Sequence, residues 1–421
     1  MKYSYQLCLL GLFIQLFPGV AYAQILPDST VGTKLTSNAL INGDRIDGGA
    51  LRGSNLFHSF QEFNINAGRS VFFTNPADVT NIFTRVTGTN PSNINGTLGV
   101  LGNANLFFMN PNGIVFGTAG KLDVKGSFLG TTASSINFAD ASVFSSTPNS
   151  SISTPLLSVT VPVGLGFGSN PGAIKVQGVG HNLTSRDLIF SPYTSLSPTT
   201  TGLQVQPGKT LALVGSEVNL NGGILTAPGG RIEVGAVAAA SQVNLNPATW
   251  GFTLNYTKAP SLQNIQLSRQ ALLNVSGSTA SSAGSIQLQG KRISLNDGST
   301  LWSQNRAAQA GGDINVHATE LLELSGTTTD EKIRSGIMSE TLGRGASSNI
   351  NISTAKLTMQ NGTVINSKTF GSAPSGNINI NATDSVQMRG LSPKTRAYNV
   401  IGSLTFFTSG SFCISKVVEQ M

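Results

Sequence analysis

The sequence predicts an all-β chain folded as a right-handed parallel β-helix, a solenoid of stacked coils with an N-terminal capping region, and three observations carry that prediction. The first is an internal repeat: Ile293-Ser294-Leu295, Gly298-Ser299, Leu301, Ser303, Gly312, Ile314 and Val316 return as Leu357-Thr358-Met359, Gly362-Thr363, Ile365, Ser367, Gly376, Ile378 and Ile380, each 64 residues later. A less regular copy at Leu322, Leu324, Gly326, Ile333, Ile337, Ile350 and Ile352 lies between them and sets the unit near half that period. The second is the grammar of each unit, very short alternating apolar segments joined by Gly, Asn and Asp turns, already present at Val218-Asn219-Leu220, Gly223-Ile224, Gly230, Ile232 and Val234. The third is composition: charged residues make up only 11% and glycine 48 of 421 positions, yet Ile, Val, Leu and Phe recur almost to the end. A unit this small cannot bury its own apolar side chains, whereas coils stacked one on the next bury them in columns and pair each strand with its equivalent.

At the N-terminus, Lys2, the apolar run Leu7 to Phe17 and the small-residue site Ala21-Tyr22-Ala23 read as a secretory signal peptide. The run is too short to cross a bilayer, so the mature chain is expected to start near Gln24. Without Cys8, which lies in that run, Cys413 is the one cysteine left, so no intrachain disulfide is expected and packing must hold the exported chain together.

From Thr30 to about Val143, Phe57, Phe60, Phe63, Phe73, Phe108 and Phe116 stand among short β segments, richer in phenylalanine than anything later, which predicts a wider core. Residues 145 to 200 carry Pro148, Pro155, Pro162, Pro171, Pro192 and Pro198, so loops or extrahelical decoration are expected, with Val161 to Val176 still able to form a coil. Coils of roughly 20 to 30 residues at about 4.8 Å spacing imply a rod on the order of 70 to 90 Å that encloses no pocket. From Leu391 the coil grammar fades. An antiparallel sandwich or propeller also gives many short strands, but a period near 30 leaves too little strand for a four-stranded blade.

Several motifs in the first part are more specific. These are Gly53-Ser54-Asn55-Leu56-Phe57-His58-Ser59-Phe60, Phe73-Thr74-Asn75-Pro76, Arg85-Val86-Thr87-Gly88, Ala104-Asn105-Leu106-Phe107-Phe108-Met109-Asn110-Pro111-Asn112-Gly113-Ile114, and Lys121-Leu122-Asp123-Val124-Lys125-Gly126-Ser127-Phe128. Taken in order directly behind a signal peptide, they resemble the N-terminal domain of the filamentous haemagglutinin family, the exported partners of two-partner secretion. Gly164-Leu165-Gly166-Phe167-Gly168 with Asn170-Pro171-Gly172, Pro207-Gly208-Lys209-Thr210-Leu211-Ala212-Leu213-Val214-Gly215 and Thr226-Ala227-Pro228-Gly229-Gly230-Arg231-Ile232 resemble the shaft of large exoproteins of the same family. The resemblance implies a signal peptide at 1–23, a secretion domain at 24–145, shaft repeats at 146–390 and an atypical tail at 391–421, the last consistent with a truncated member.

It also implies a partner and a route. The chain would reach the periplasm by Sec export, its N-terminal domain would be recognised by periplasmic domains of an outer-membrane β-barrel transporter, and the shaft would fold outside as a secreted or surface-displayed adhesin or haemagglutinin. The residues that the resemblance assigns to secretion are Asn110, Pro111, Asn112, Gly113 and Ile114, with Asn55, Leu56, Asn75 and Pro76. By residue type alone they are turn builders: Asn and Gly supply positive φ, Pro111 fixes φ and Ile114 re-enters the core. Building a stable cap is therefore favoured over direct contact with the transporter.

Chemical motifs are sparse. His58, His181 and His317 have no partner at ligand spacing, so no metal or cofactor is expected, and Pro207-Gly208-Lys209-Thr210 has Leu203 where a phosphate loop needs its first glycine. Twenty-six basic residues against 19 acidic ones form no run, which argues against nucleic acid as a partner. The rival reading, a β-helical carbohydrate-active enzyme, needs a carboxylate pair or a carboxylate-bound cation. No adjacent Asp-Asp is present, and Asp297, Asp313 and Asp330 read as turn residues. No enzyme is expected. Candidate ligands are host cells, matrix or glycans, and a non-functional remnant of a longer exoprotein stays open.

Overall fold

The computed structural model describes residues 25–147, 158–196, 201–248, 251–406 and, as backbone, 412–417. The predicted signal peptide and Pro148, Pro155 and Pro198 lie outside the described residues. Every regular element is a strand, and no described helix is long and apolar enough to cross a membrane, a statement that leaves β-barrels untouched.

The strands stack as a parallel β-helix with three faces. On the first face one inward column runs Leu56, Ile82, Leu106, Phe128, Leu211, Ile232, Ile286, Ile314, Ile350 and Ile378, each paired in parallel register with the next. On the second, Ile114, Ile174, Val218, Ile265, Ile293, Leu322, Leu357 and Val386 form the equivalent column. The third carries Leu203, Leu225, Leu273, Leu301, Ile337, Ile365 and Ile401. Ile314 and Ile378 thus share one column, and the 64-residue repeat is two coils of unequal length: Ile314 pairs with Ile350, 36 residues on, and Ile350 with Ile378, 28 residues on. The longer coil contains the extra turn bridged by Thr327 and Arg334.

Four expectations change. The ten rungs of the first face, at about 4.8 Å each, make a helix roughly 45 Å long and not 70 to 90 Å, because much of the chain leaves the coil. Two departures from the coil together build an antiparallel sheet, Ser135–Phe138, Val143–Ser145 and Pro162–Gly166 in the first and Gln242–Ala248 and Gly251–Asn255 in the second. Of the stretch 161–176, only Ile174–Gln177 joins the helix; Pro162–Gly166 belongs to this outer sheet. The phenylalanines do not simply widen one core: Phe57, Phe83 and Phe107 point outward, stack at 5.2 and 4.7 Å, and form a second core beneath the outer sheet with Phe138, Phe144 and Phe252. Finally, the coil does not end at Leu391, since Val400–Phe406 pairs in register with Val364–Thr369 and is closed by the antiparallel strand Phe412–Val417.

A further excursion covers the third face. Tyr193, fully buried, donates its N–H to the Glu340 carboxylate at 3.1 and 3.2 Å, and Gln304 donates to the Tyr193 carbonyl at 3.0 Å. The Lys368 ammonium donates to the Leu188 carbonyl at 3.0 Å, and burial holds its pKa down at about 8 despite the attraction of Glu340. Gln304, Glu340 and Lys368 form one outward column, so this strap locks successive rungs together.

The outer sheet shields one further group. Glu233, wholly buried beside Arg231, has its pKa pushed up to about 7, because burial outweighs the attraction of the guanidinium and a hydrogen bond from the Leu254 backbone; among the described residues its Oε2 and the Tyr256 hydroxyl have no hydrogen-bond partner. Between pH 4.5 and about 7 the folded chain therefore holds a proton that the unfolded chain has released, so stability falls as pH rises through that window. His58 acts in the opposite sense, since burial lowers its pKa from 6.5 to about 3. The Glu233 contribution is therefore read as a difference. Wild type should lose on the order of 3 kcal/mol more than Glu233→Gln between pH 4.5 and 7.5 in hydrogen exchange at Ile232 and Val234. Equal pH dependence of the two proteins would refute it.

Candidate functional site

The N-terminal end of the helix is closed by its own chain. Ile25–Pro27 runs antiparallel along Asn55–Phe63, pairing Ile25 with Phe63 and Leu26 with Glu62, while Thr33–Leu40 and Gly43–Gly48 form a hairpin whose Gly43–Ile46 pairs in parallel with Ser70–Phe73, in a five-stranded sheet on the first coils. The strand edge that would otherwise template aggregation is thereby covered.

Asn110 to Ile114 form the corner between the strands Asn105–Met109 and Ile114–Phe116. Asn110 is fully buried and its side-chain amide donates to the Asn90 carbonyl at 3.1 Å and the Ser92 hydroxyl at 2.9 Å, one coil back. Its Oδ1 accepts the Asn112 N–H at 3.0 Å. The Pro111 carbonyl accepts the Gly172 N–H at 2.7 Å from the next coil. Gly113 turns the chain at φ 126°, where a side chain would be strained, and Ile114 re-enters the core. Asn112 is exposed, with its Nδ2 donating to the Gly88 carbonyl at 2.7 Å. Gly88 lies so close to the preceding coil that a Cβ there would sit 2.1 Å from the Gln61 carbonyl oxygen. One corner therefore fastens three coils.

The other predicted residues occupy separate corners, and among the described residues no hydrogen bond joins one group to another. Asn55 opens the first face: its amide donates to the Ser158 and Thr160 carbonyls at 3.1 and 2.8 Å, and its Oδ1 accepts from Asn81 at 3.1 Å. Asn81 accepts in turn from Asn105 at 3.0 Å, and Asn105 from the Ser127 N–H at 2.8 Å, a ladder up four rungs. Leu56 begins the inward column. Asn75 caps the loop before the second rung, donating to the Pro76 and Val79 carbonyls at 2.9 and 3.1 Å and accepting the Ala104 N–H at 2.8 Å, while Pro76 itself is exposed.

Beside the 110–114 corner lies a shallow cleft of about 550 Å³ lined by Asp28, Gln61, Glu62, Thr87 and Gly88. Asn90 donates to the Glu62 carboxylate at 2.7 Å on its rim. Near it sits Arg85, the first residue of the motif Arg85-Val86-Thr87-Gly88. It is buried, donating to the Ser59 hydroxyl at 2.8 Å, the Thr30 hydroxyl at 3.0 Å and the Ser145 carbonyl, and its guanidinium carbon lies 4.7 Å over the Phe144 ring. Burial opposes the Asp28 charge, but hydrogen bonds from Ser59, Thr30 and Thr87 hold its carboxyl below the usual range, and it attracts Arg85. A lone arginine in the apolar strand Ile82-Phe83-Thr84-Arg85-Val86 was the available signal.

Histidines stand elsewhere: His58 is buried in the core against Thr33, and His181 is buried beside the Gly298 carbonyl at 2.9 Å. Among the described residues no group of three His, Cys, Asp or Glu side chains could hold a metal ion.

The family model described as the TPS secretion domain matches residues 23–288. The chain belongs to the TPS secretion domain family. A TPS domain marks a protein exported across the outer membrane by two-partner secretion and implies recognition by a dedicated outer-membrane transporter. The family is a secretion domain of exoproteins and not a known class of enzyme. The match runs past residue 145, through the outer sheet, into the rung that begins at Ser285. Among solved structures, the HMW1 secretion domain from Haemophilus influenzae is 14% identical, with 85% of this chain and 98% of that chain covered at a TM-score of 0.40. The filamentous hemagglutinin secretion domain is 18% identical, with 87% and 99% covered at a TM-score of 0.38. No curated protein matches.

Proposed function

We propose that the chain is a secreted or surface-displayed adhesin- or haemagglutinin-like exoprotein that acts by display and not by catalysis. The TPS match carries this reading. In the division we favour, residues 24–145 face the transporter's periplasmic domains, 146–390 form most of the shaft, the segment from 391 adds a last rung at Val400–Phe406, and Sec export precedes recognition. Asn110 to Ile114, Asn55, Leu56, Asn75 and Pro76 serve secretion by building the cap, and the neighbouring cleft, rimmed by Asp28 and Glu62, offers acceptors to a donor-rich partner surface. Once the capped coils stand outside, each further rung buries apolar area at roughly 25 cal/mol per Å², which draws the remaining chain outward without ATP.

The test is export in a cell carrying the cognate transporter. Replacing Asn110 and Asn112 together by Ala should leave the chain in the periplasm, detected by fractionation, and a protein reaching the medium at wild-type level would defeat the assignment. Deleting the transporter should have the same effect on wild type. Host-cell, matrix and glycan ligands belong to the displayed shaft in this reading.

A further inference from the structure

The outward column of the first face changes character along the axis. It runs Phe57, Phe83, Phe107, Leu129 and Ala212, then Glu233, Gln287, Asn315, Asn351 and Asn379. The outer sheet covers the apolar part. Past Glu233 the face opens into a trough.

At its head, the segment from Leu254 to Gln263 forms one wall of a half-open hollow of about 710 Å³. Contrary to the expectation of a rod without a pocket, this is a concave site. It continues through His317 into a second, shallower hollow of about 520 Å³ over Asn315, Asn351, Ser353, Asn379 and Asn381. The floor is a regular array. Asn351 donates to Asn315 at 2.9 Å and Asn379 to Asn351 at 2.8 Å, each amide keeping a second donor and lone pair for a ligand. In the adjacent outward column, Gln289, His317, Ser353 and Asn381 are in register and make no side-chain hydrogen bond within the chain among the described residues. Ala259 and Pro260 give that wall an apolar surface. Within the lining one cation, Lys291, is matched by one carboxylate, Glu320, at 3.1 Å, with Arg292 outside the lining 3.8 Å from the same carboxylate, although the whole chain carries a net charge of +7.

We infer that this trough binds a neutral, extended oligosaccharide. Unpaired amides and hydroxyls recurring at about 4.8 Å, comparable to the length of one hexose unit, match the alternating donors and acceptors of sugar hydroxyls. The wall offers a surface for the apolar face of the ring, and a lining with one lysine that is paired to Glu320 gives a polyanion no run of cations to follow. Only one carboxylate, Glu320, lines the site and it is held by Lys291, so binding is assigned and hydrolysis is not. The inference rests on the display reading for its biological setting and supplies a ligand class for it.

The test is calorimetric titration of the purified chain with three hexasaccharides: β-1,4-linked glucose, β-1,4-linked N-acetylglucosamine and, as a polyanion, heparin-derived. At least one neutral hexasaccharide should bind saturably, and Gln289→Ala combined with His317→Ala should weaken it by about tenfold or more. Ser353→Arg, which sets a bulky cation on the floor, should abolish binding while circular dichroism and the thermal midpoint stay at wild type. Failure of both neutral sugars to bind, preference for heparin, or indifference to both variants would overturn the inference. Export of the same variants is scored separately: wild type that binds sugar but is never exported would sink the display reading and leave this one standing.

Discussion

Asn110→Ala should destabilise the N-terminal coils by about 3 kcal/mol, the larger effect within the 110–114 corner. The substitution removes a side chain that satisfies the Asn90 carbonyl, the Ser92 hydroxyl and the Asn112 N–H at once. Asn110 is buried, so water does not readily replace it, and each polar group left without a partner costs roughly 1 to 3 kcal/mol. Asn112→Ala removes two donations, to the Gly88 carbonyl at 2.7 Å and to the Asn110 Oδ1 at 3.2 Å, from an exposed position where water can replace them, and should cost about 1 kcal/mol or less. Stacked coils lend stability mainly to their neighbours. The loss should therefore be read in hydrogen exchange at Ser92, which donates to the Gly113 carbonyl, and at Ile114, which donates to Ala173. Little change at Ile350 is expected, many rungs away. If Asn110→Ala cost no more than Asn112→Ala, the corner would not be the fastening that its geometry describes.

The inner columns were legible because stacking repeats one requirement at every rung. Ile293, Leu322 and Leu357 each face the same interior, so the sequence repeats wherever the coil length repeats. The Asn and Gly corners were legible for the same reason. Of the expectations that changed, the role of the phenylalanines and the polar trough both depend on what lies against the coil from outside. In Leu106-Phe107-Phe108-Met109, apolar residues occupy both faces of the strand, whereas Ile286-Gln287-Leu288-Gln289 alternates strictly. Strands buried on both sides read as unbroken apolar runs. That contrast marks where the outer sheet begins and ends, but phenylalanine alone suggested only a larger core. The cover itself comes from segments as far apart as Ser135–Phe138 and Gln242–Ala248, and no local pattern announces such a pairing. The polar trough was hidden likewise, since His317 has no chemical partner nearby in sequence and acquires its neighbours Gln289 and Ser353 only through rung register.

Arg85→Ala should be the most damaging single change at the N-terminal end, at roughly 3 to 5 kcal/mol, because it removes the cation from a buried network. Arg85 links four parts of the chain: the cap through Thr30, the first rung through Ser59, the outer sheet through the Ser145 carbonyl and the aromatic second core through Phe144. Its removal would leave Asp28 without its nearby positive charge and the Ser145 carbonyl without that donor. Two observations separate charge from packing. Arg85→Met retains much of the apolar bulk and should still lose most of the stability if charge and hydrogen bonds dominate. Asp28→Asn should be less harmful in the Arg85→Ala background than in wild type, since the carboxylate no longer has its cation, giving a coupling of about 1 kcal/mol or more in a double-mutant cycle. Additive losses would mean that Asp28 and Arg85 act independently, and a wild-type melting curve for Arg85→Met would mean that the site needs only the volume of the side chain. Because the cap must stand before further coils can add to it, the export reading also requires that Arg85→Ala lower the amount reaching the medium. A chain that is exported normally despite a frayed cap, measured by exchange at Phe60 and Phe63, would separate secretion from the stability of the first coils.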